Sequence, residues 1–292
     1  LNNWDEIRTA YHVARVGTVS GAAEVLGVHH ATVIRHIDAL EKQLGEKLFH
    51  RHARGYATTE AGRDLLTVAQ TTEDQFAQLA NRIRGKGETV SGDLAITSLA
   101  DISVQMVQSM VDFQDLYPDV TLRFLTGQRL FRLDYGEAHV AVRAGTAPSQ
   151  PDYVVQPFID LRHGLYASAG YAAAKGLPES DADLDRHHFV VSDETSSRAP
   201  YSQWLQRVTP APALRFRASD PAAMYQAIGA GAGIGFVSRV AASSQPDLIE
   251  VMPPRPEWTV RLWLVTHIDL HRSLKIQRFL SHLKEAALGW PQ

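Results

Sequence analysis

The sequence contains no cysteine, and that absence removes disulfides, thiolate nucleophiles, Cys-ligated zinc and thiol redox sensing at once. It has no stretch approaching the roughly 18 consecutive apolar residues of a membrane span, and it opens polar, with Asn2, Asn3, Asp5 and Glu6. Neither a bilayer nor secretion is indicated, so a cytoplasmic location is expected. Repeats at a fixed period and low-complexity tracts are missing as well. No GxSxG, HExxH or P-loop pattern occurs, and scattered Ser, His and Asp make no triad without geometry. The expectation is a protein that is not an enzyme and needs no cofactor or metal.

What is present suits ordinary globular material: 292 residues, 45% hydrophobic and 21% charged, enough for two domains. The formal net charge of -3 argues against nucleic acid only until the chain is divided. Residues 1–87 carry 11 Lys and Arg against 10 Asp and Glu, whereas 88–292 carry 18 against 22. Between His29 and Gly55 lie five Lys or Arg, three acids and five of the 13 histidines. That segment is modestly basic at neutral pH and becomes more so as histidines protonate, so binding to a polyanion should strengthen from about pH 7.5 to 6.

Apolar residues at helical spacing from Trp4 to Val16 give a first helix, which Gly17 ends. Thr18 or Ser20 can cap a second, short helix with a small face of Ala22, Ala23, Val25 and Leu26, closed by Gly27. A third runs from about His29 to Leu44, with Val33, Ile37, Leu40 and Leu44 inward. Two helices joined by a tight Gly-containing turn are the sequence form of a helix-turn-helix. Leu48 to Thr59 then reads as strand, turn and strand, a wing. From Glu60 to Arg84 the residues Leu65, Ala69, Thr72, Phe76, Leu79 and Ile83 make a heptad seam. A lone helix cannot bury that seam, and the simplest partner is the same helix of a second chain. Gly85 to Gly92 reads as a hinge.

Beyond Gly92 short β-rich runs alternate with helices, which is α/β order. Strands are expected at Leu94–Thr97, Val120–Leu125, His139–Arg143, Gly164–Ala167, Phe189–Ser192, Ile234–Val237 and Trp258–Val265, and helices at Val104–Leu116, Pro221–Gly229 and Ser273–Leu288. Two α/β lobes follow, with chain crossings near Phe158–Arg162 and Leu264–His267. The alternating glycines from Gly229 to Gly235 come after a helix and before a strand, the reverse of the dinucleotide-binding order, and read as a helix end and turn.

The N-terminal string Gly17-Thr-Val-Ser-Gly-Ala-Ala-Glu-Val-Leu-Gly27 is followed by Thr32-Val33, Arg35, Ile37, Leu40-Glu41, Leu44-Gly45, Leu48-Phe49, Arg51, Arg54-Gly55 and Thr59-Glu-Ala-Gly62. With Gly92-Asp-Leu, Tyr117-Pro118 and Gly231-Ala-Gly233-Ile234 further on, the whole chain resembles the LysR-type transcriptional regulators. The resemblance implies an α+β multidomain architecture: a winged helix-turn-helix over 1–59, a linker and dimerisation helix over 60–87, and a two-lobed effector domain over 88–292 similar to type 2 periplasmic binding proteins. Lobe 1 would take about 88–161 and 267–292, and lobe 2 about 162–266. It further implies a homodimer or homotetramer on a double-stranded DNA operator, modulated by a small molecule between the lobes. The alternatives are a constitutive DNA-binding protein with a vestigial cleft and an enzyme that uses the α/β lobes.

The DNA-contacting set is then Ser20, His29, His30, Thr32, Arg35, His36, Arg51 and Arg54. The sequence departs from the family where the usual Ser-Gln-Pro is His29-His30-Ala31, a common Ser is Ile34 and an often basic wing position is Ala57. Imidazoles can bond a phosphate or a purine edge, so contact is kept while base preference changes. Strand-end logic places the effector among Ser98, Ala100, Asp101, Thr126, Arg143, Asp193 and Ser196. Ser98, Thr126 and Arg143 together would suit an anionic effector.

Overall fold

A computed structural model describes residues 3–52, 55–83, 90–127, 130–134, 136–193 and 199–291. They fall into two units, residues 1–92 with 131–139 and residues 93–130 with 140–292.

In the first unit, helices α1 (Trp4–Val16), α2 (Val19–Leu26) and α3 (His30–Leu44) precede a hairpin of β1 (Phe49–His52) and β2 (Gly55–Thr58) and a long helix α4 (Glu60–Ile83). Of the two caps open to α2, Thr18 takes the role, its Oγ1 accepting from the Gly21 amide at 3.2 Å. Ala10, Val13, Ala22, Ala23, Val33, Ile37, Leu40, Leu48 and Phe49 form one buried cluster, the small alanines letting the helices cross closely. The hairpin is fastened to α1, because the Tyr56 amide donates to the Gly17 carbonyl at 2.8 Å. Two glycines are sterically required here. A Cβ on Gly55 would lie 2.4 Å from the Gly17 oxygen, and one on Gly62 would lie 2.1 Å from the Leu48 oxygen.

The expected seam of α4 is already partly occupied within the chain. Leu65 packs on the helical cluster, Ala69 is 1% exposed, and Phe76 meets the edge of Trp4 at 5.3 Å between centroids. Glu73 faces Arg8 at 3.7 Å and His12 at 3.6 Å. The reason is that α1 lies against α4, so a second chain is not the sole partner the heptad pattern called for. The Thr72 hydroxyl turns back to the Val68 carbonyl. Val68 and Phe76 remain 66% and 52% exposed. The side chains of Leu79 and Ile83, Arg54, and most of the expected hinge lie outside the described residues.

The second unit opens with β3 (Gly92–Ser98), α5 (Ser103–Leu116), β4 (Val120–Thr126), β5 (Val140–Ala144) and β6 (Tyr153–Ser168). It continues through α6 (Ala169–Lys175), β7 (Phe189–Ser192), α7 (Pro200–Val208), β8 (Leu214–Ala218), α8 (Pro221–Gly229), β9 (Ile234–Ser238), α9 (Arg239–Ala242) and β10 (Leu248–Met252). It closes with β11 (Thr259–His267), α10 (Ile268–His271) and α11 (Leu274–Ala287). Among the described residues the strand order is β4-β3-β5-β11-β6-β9-β7-β8, with β10 also on β6. In the first lobe, α5 and α11 meet through Phe113 and Phe279, edge to face at 5.2 Å. In the second, Trp204 and Phe236 each meet Trp258 edge to face at 4.8 and 4.9 Å in a buried cluster with Leu165, Phe189 and Ile234.

One strand serves both lobes. Strand β6 runs antiparallel to β11 from Tyr153 to Arg162 and changes partner to β9 at His163, which pairs with Ser238. The return passage lies earlier than the expected Leu264–His267. Trp258 belongs to the second lobe's cluster, yet Thr259 already pairs with Arg162 of β6 and Leu262 with Ala144 of β5, so the chain has crossed by Thr259.

Candidate functional site

The exposed side of α3 carries two shallow depressions. Ser20, Glu24, His29 and His30 share one at the α2–α3 turn. Ala31, Ile34, Arg35, Asp38 and Lys42 share the other along the helix. Helical periodicity explains the grouping, since positions three and four apart fall on one face while Val33, Ile37 and Leu40 point inward. Thr32 is half-buried. His36 is drawn toward α1 rather than outward. The Thr9 hydroxyl gives its proton to the Asp5 carbonyl at 2.6 Å and therefore accepts from the His36 Nδ1–H at 2.9 Å.

Arg51, expected in the DNA-contacting set, is engaged within the chain. Its guanidinium meets Asp38 at 2.5 Å and Glu41 at 3.2 Å and lies over the Tyr56 ring. Glu41 is the centre of this junction. Its buried carboxylate accepts from Lys47 Nζ at 2.6 Å and from the Leu48 and Phe49 amides at 3.0 and 3.3 Å. Burial works against that charge, but the Lys47, Leu48 and Arg51 contacts outweigh it and hold the carboxyl below its ordinary range. The junction fixes the hairpin's angle to α3. Sequence reading named Glu41 only within the family string and gave it no role; its acidic character in a basic segment was the available signal.

In the second unit a cavity of about 350 Å³ lies where β6 changes partner, between the 3₁₀ turn Ala100–Ile102 and helices α7 and α8. Its walls include Leu99, Tyr201, Tyr225, Met224 and Phe236, and its polar groups include Asp101, His163, Ser192 and Arg217. The Tyr225 hydroxyl donates to Asp101 Oδ1, joining the two lobes, and the Gln105 amide reaches the Val240 carbonyl at 3.0 Å in the same sense. His163 Nε2 stands 3.7 Å from Asp101 Oδ2, and its ring stacks on Tyr201 at 4.2 Å. Burial pushes the Asp101 carboxyl up, but the neighbouring imidazole and the Tyr225 hydroxyl bring it below the ordinary value. Burial and then the Asp101 charge push the Tyr225 phenol well up.

Two family models cover this arrangement: "Bacterial regulatory helix-turn-helix protein, lysR family" over residues 4–63 and "LysR substrate binding domain" over residues 87–288. The chain belongs to the LysR family. It is a LysR-type transcriptional regulator with an effector-binding domain. An HTH-type transcriptional repressor of Pseudomonas aeruginosa is 25% identical over 95% of this chain and 90% of its own length. The regulator IlvY of Escherichia coli is 26% identical over 83% of this chain and 84% of its own. In fold, full-length OxyR of P. aeruginosa matches with a TM-score of 0.74 at 14% identity, covering 99% of this chain and 96% of that one. Full-length LysG of Corynebacterium glutamicum, solved with bound arginine as effector, matches with 0.67 at 19% identity, covering 99% of each.

Within this LysR-type regulator, the cavity gathers only part of the expected effector set. Asp101 lines it, and Ala100 lines a smaller cavity behind Asp101. Ser98, Thr126, Arg143 and Asp193 are not among its lining residues, whereas Leu99, Ala144 and Ser192, each next to one of them, are. Strand alternation causes the one-residue offsets. Ser98 is buried, with its Oγ lacking a hydrogen-bond partner, and burial lowers the Arg143 pKa. Ser196 lies outside the described residues.

Proposed function

We propose that this regulator works in the cytoplasm as a homodimer or homotetramer, not as an enzyme, and reads its operator through His29, His30, Arg35 and Lys42, with Ser20 at the adjoining helix start. The observation that carries the reading is that these side chains share the exposed side of α3 and its turn, on a helix whose opposite face is fixed in a three-helix core and braced by a wing. Arg and Lys neutralise phosphates and imidazoles reach base edges. Arg51 then acts chiefly by holding the wing against Asp38 and Glu41.

Residues 1–59 form the reading head in this proposal, 60–87 the dimerisation linker and 88–292 the effector domain. The exposed Val68 and Phe76 on α4 support pairing of two chains. A ligand preferring one arrangement of the lobes shifts the assembly between geometries and so alters its grip on DNA. The test is operator footprinting with a salt titration. Two chains each offering Arg35 and Lys42 give a slope of log affinity on log salt of about -4. A flat titration, or no protected tract in the native genome, overturns the reading.

A further inference from the structure

We propose that Ile34, with Ala31 one turn earlier, reads the C5-methyl group of a thymine in the operator's major groove, close to a guanine taken by Arg35. The inference rests on α3 being the reading helix and adds the base group that its exposed side selects. Ala31, Ile34, Arg35, Asp38, Ala39 and Lys42 line one shallow depression, and steps of three and four residues keep them on a single side of α3. Ile34 is 38% exposed there, whereas Val33 and Ile37, the residues of similar shape, are fully buried. It takes no part in the head's apolar cluster. An apolar partner outside the chain therefore gains from covering it. Arg35 and Lys42 flank it in the same depression, and that charge suits a polyanion, so the cover is DNA.

The chemistry of the groove narrows the contact. An isoleucine side chain neither donates nor accepts, so it can bond no phosphate and no polar base edge. Pressed against guanine O6 and N7 or cytosine N4, it would strip water from those atoms and replace none of their hydrogen bonds. The four unmodified bases display one apolar group in the major groove, the thymine C5-methyl. Ala31 widens the apolar surface around that methyl without adding a polar atom.

The neighbours of Ile34 set the context of the base. Ile34 and Arg35 are consecutive, about 1.5 Å apart along the helix, against a rise of about 3.4 Å per base pair, so the two side chains reach within about two base pairs of each other. The Arg35 guanidinium matches guanine O6 and N7 with two donors. Asp38 is the carboxylate of the depression, and its ion pair with Arg51 offsets its repulsion of phosphates.

Duplexes selected by the full-length protein from a random-sequence pool give the preferred site, and each thymine in it is then replaced singly by deoxyuridine, which lacks only the methyl. Gel-shift titration at fixed salt is expected to show at least one thymine, close to a guanine, whose replacement weakens binding about fourfold, the worth of one buried carbon. Ile34→Ser is expected to bind the thymine and uracil duplexes alike while keeping the guanine, and its melting curve reports folding. The wild-type comparison stands even where the variant does not fold. No loss at any thymine, or a methyl preference that survives in folded Ile34→Ser, overturns the proposal. The two readings fail differently: a preferred site without a methyl effect removes the thymine contact and leaves the regulator, whereas a pool that yields no preferred sequence removes both.

Discussion

Replacing Glu41 by alanine should detach the hairpin from α3. The carboxylate accepts from two backbone amides, Leu48 and Phe49, and from Lys47 and Arg51. The cationic partners matter less, since Lys47 is 72% exposed, Arg51 keeps Asp38, and exposed pairs contribute about 0–1 kcal/mol. The amides dominate. Each buried N–H left without an acceptor costs about 1–3 kcal/mol, so the loss is about 3 kcal/mol once water follows the open Lys47 side. Hydrogen exchange on the full-length protein reads this directly, because a local loss of that size speeds exchange of the Leu48 and Phe49 amides about 100-fold. Glu41→Gln keeps one acceptor oxygen and should cost about 1 kcal/mol. The sign with pH follows from the depressed carboxyl: its stabilisation is present above its unfolded value near 4.5 and lost as pH falls through the lower folded value. The acid limb of a stability curve should therefore be shallower in Glu41→Gln. Unchanged protection of the two amides in Glu41→Ala would refute the reasoning.

Gly62→Ala forces a Cβ to within 2.1 Å of the Leu48 oxygen and should destabilise the first unit by about 2 kcal/mol or more, read by urea denaturation. A cost below half that figure contradicts the close approach. Val68→Glu, at a position 66% exposed, should change the stability of an isolated chain by under about 0.5 kcal/mol while lowering the mass seen by light scattering; an unaltered assembly mass would remove α4 from the interface. Operator affinity should rise as pH drops from about 7.5 to 6, and His29→Asn with His30→Asn should flatten that rise. An equal rise in the double variant would assign it elsewhere.

The reading head was legible because its signals are local. Hydrophobic period, the Gly17, Gly27 and Gly45 stops, and the hydroxyls at Thr18 and Ser20 each specify a few neighbouring residues, and α1 to α3 follow them. What failed there was side-chain direction. His36 and Arg51 found partners 27 and 13 residues away, and no local pattern encodes those. In the effector domain the early half of β6 was hidden by Pro157, which argues against a central strand. Among the described residues this half of β6 pairs with β11 alone, its other partners beginning at His163, and an edge strand tolerates proline. Strand-end logic found Asp101. It missed His163, Tyr201 and Tyr225 because these come from β6, α7 and α8 and meet only in the finished fold.

The shared strand has a mechanical consequence. Sixteen residues of β6 make a continuous rod about 50 Å long at about 3.3 Å per residue, and a ladder of hydrogen bonds to β11 and β9 runs along it. The irregularity at Phe158–Ile159 adds local twist to a strand that already coils about its own axis, so it yields readily to torsion. The lobes should therefore respond to an occupant by a few degrees of rotation about β6, like the two arms of a wrung cloth, with no hinged opening. A small turn near His163 is magnified with distance from the strand, so the helices farthest from β6 move most.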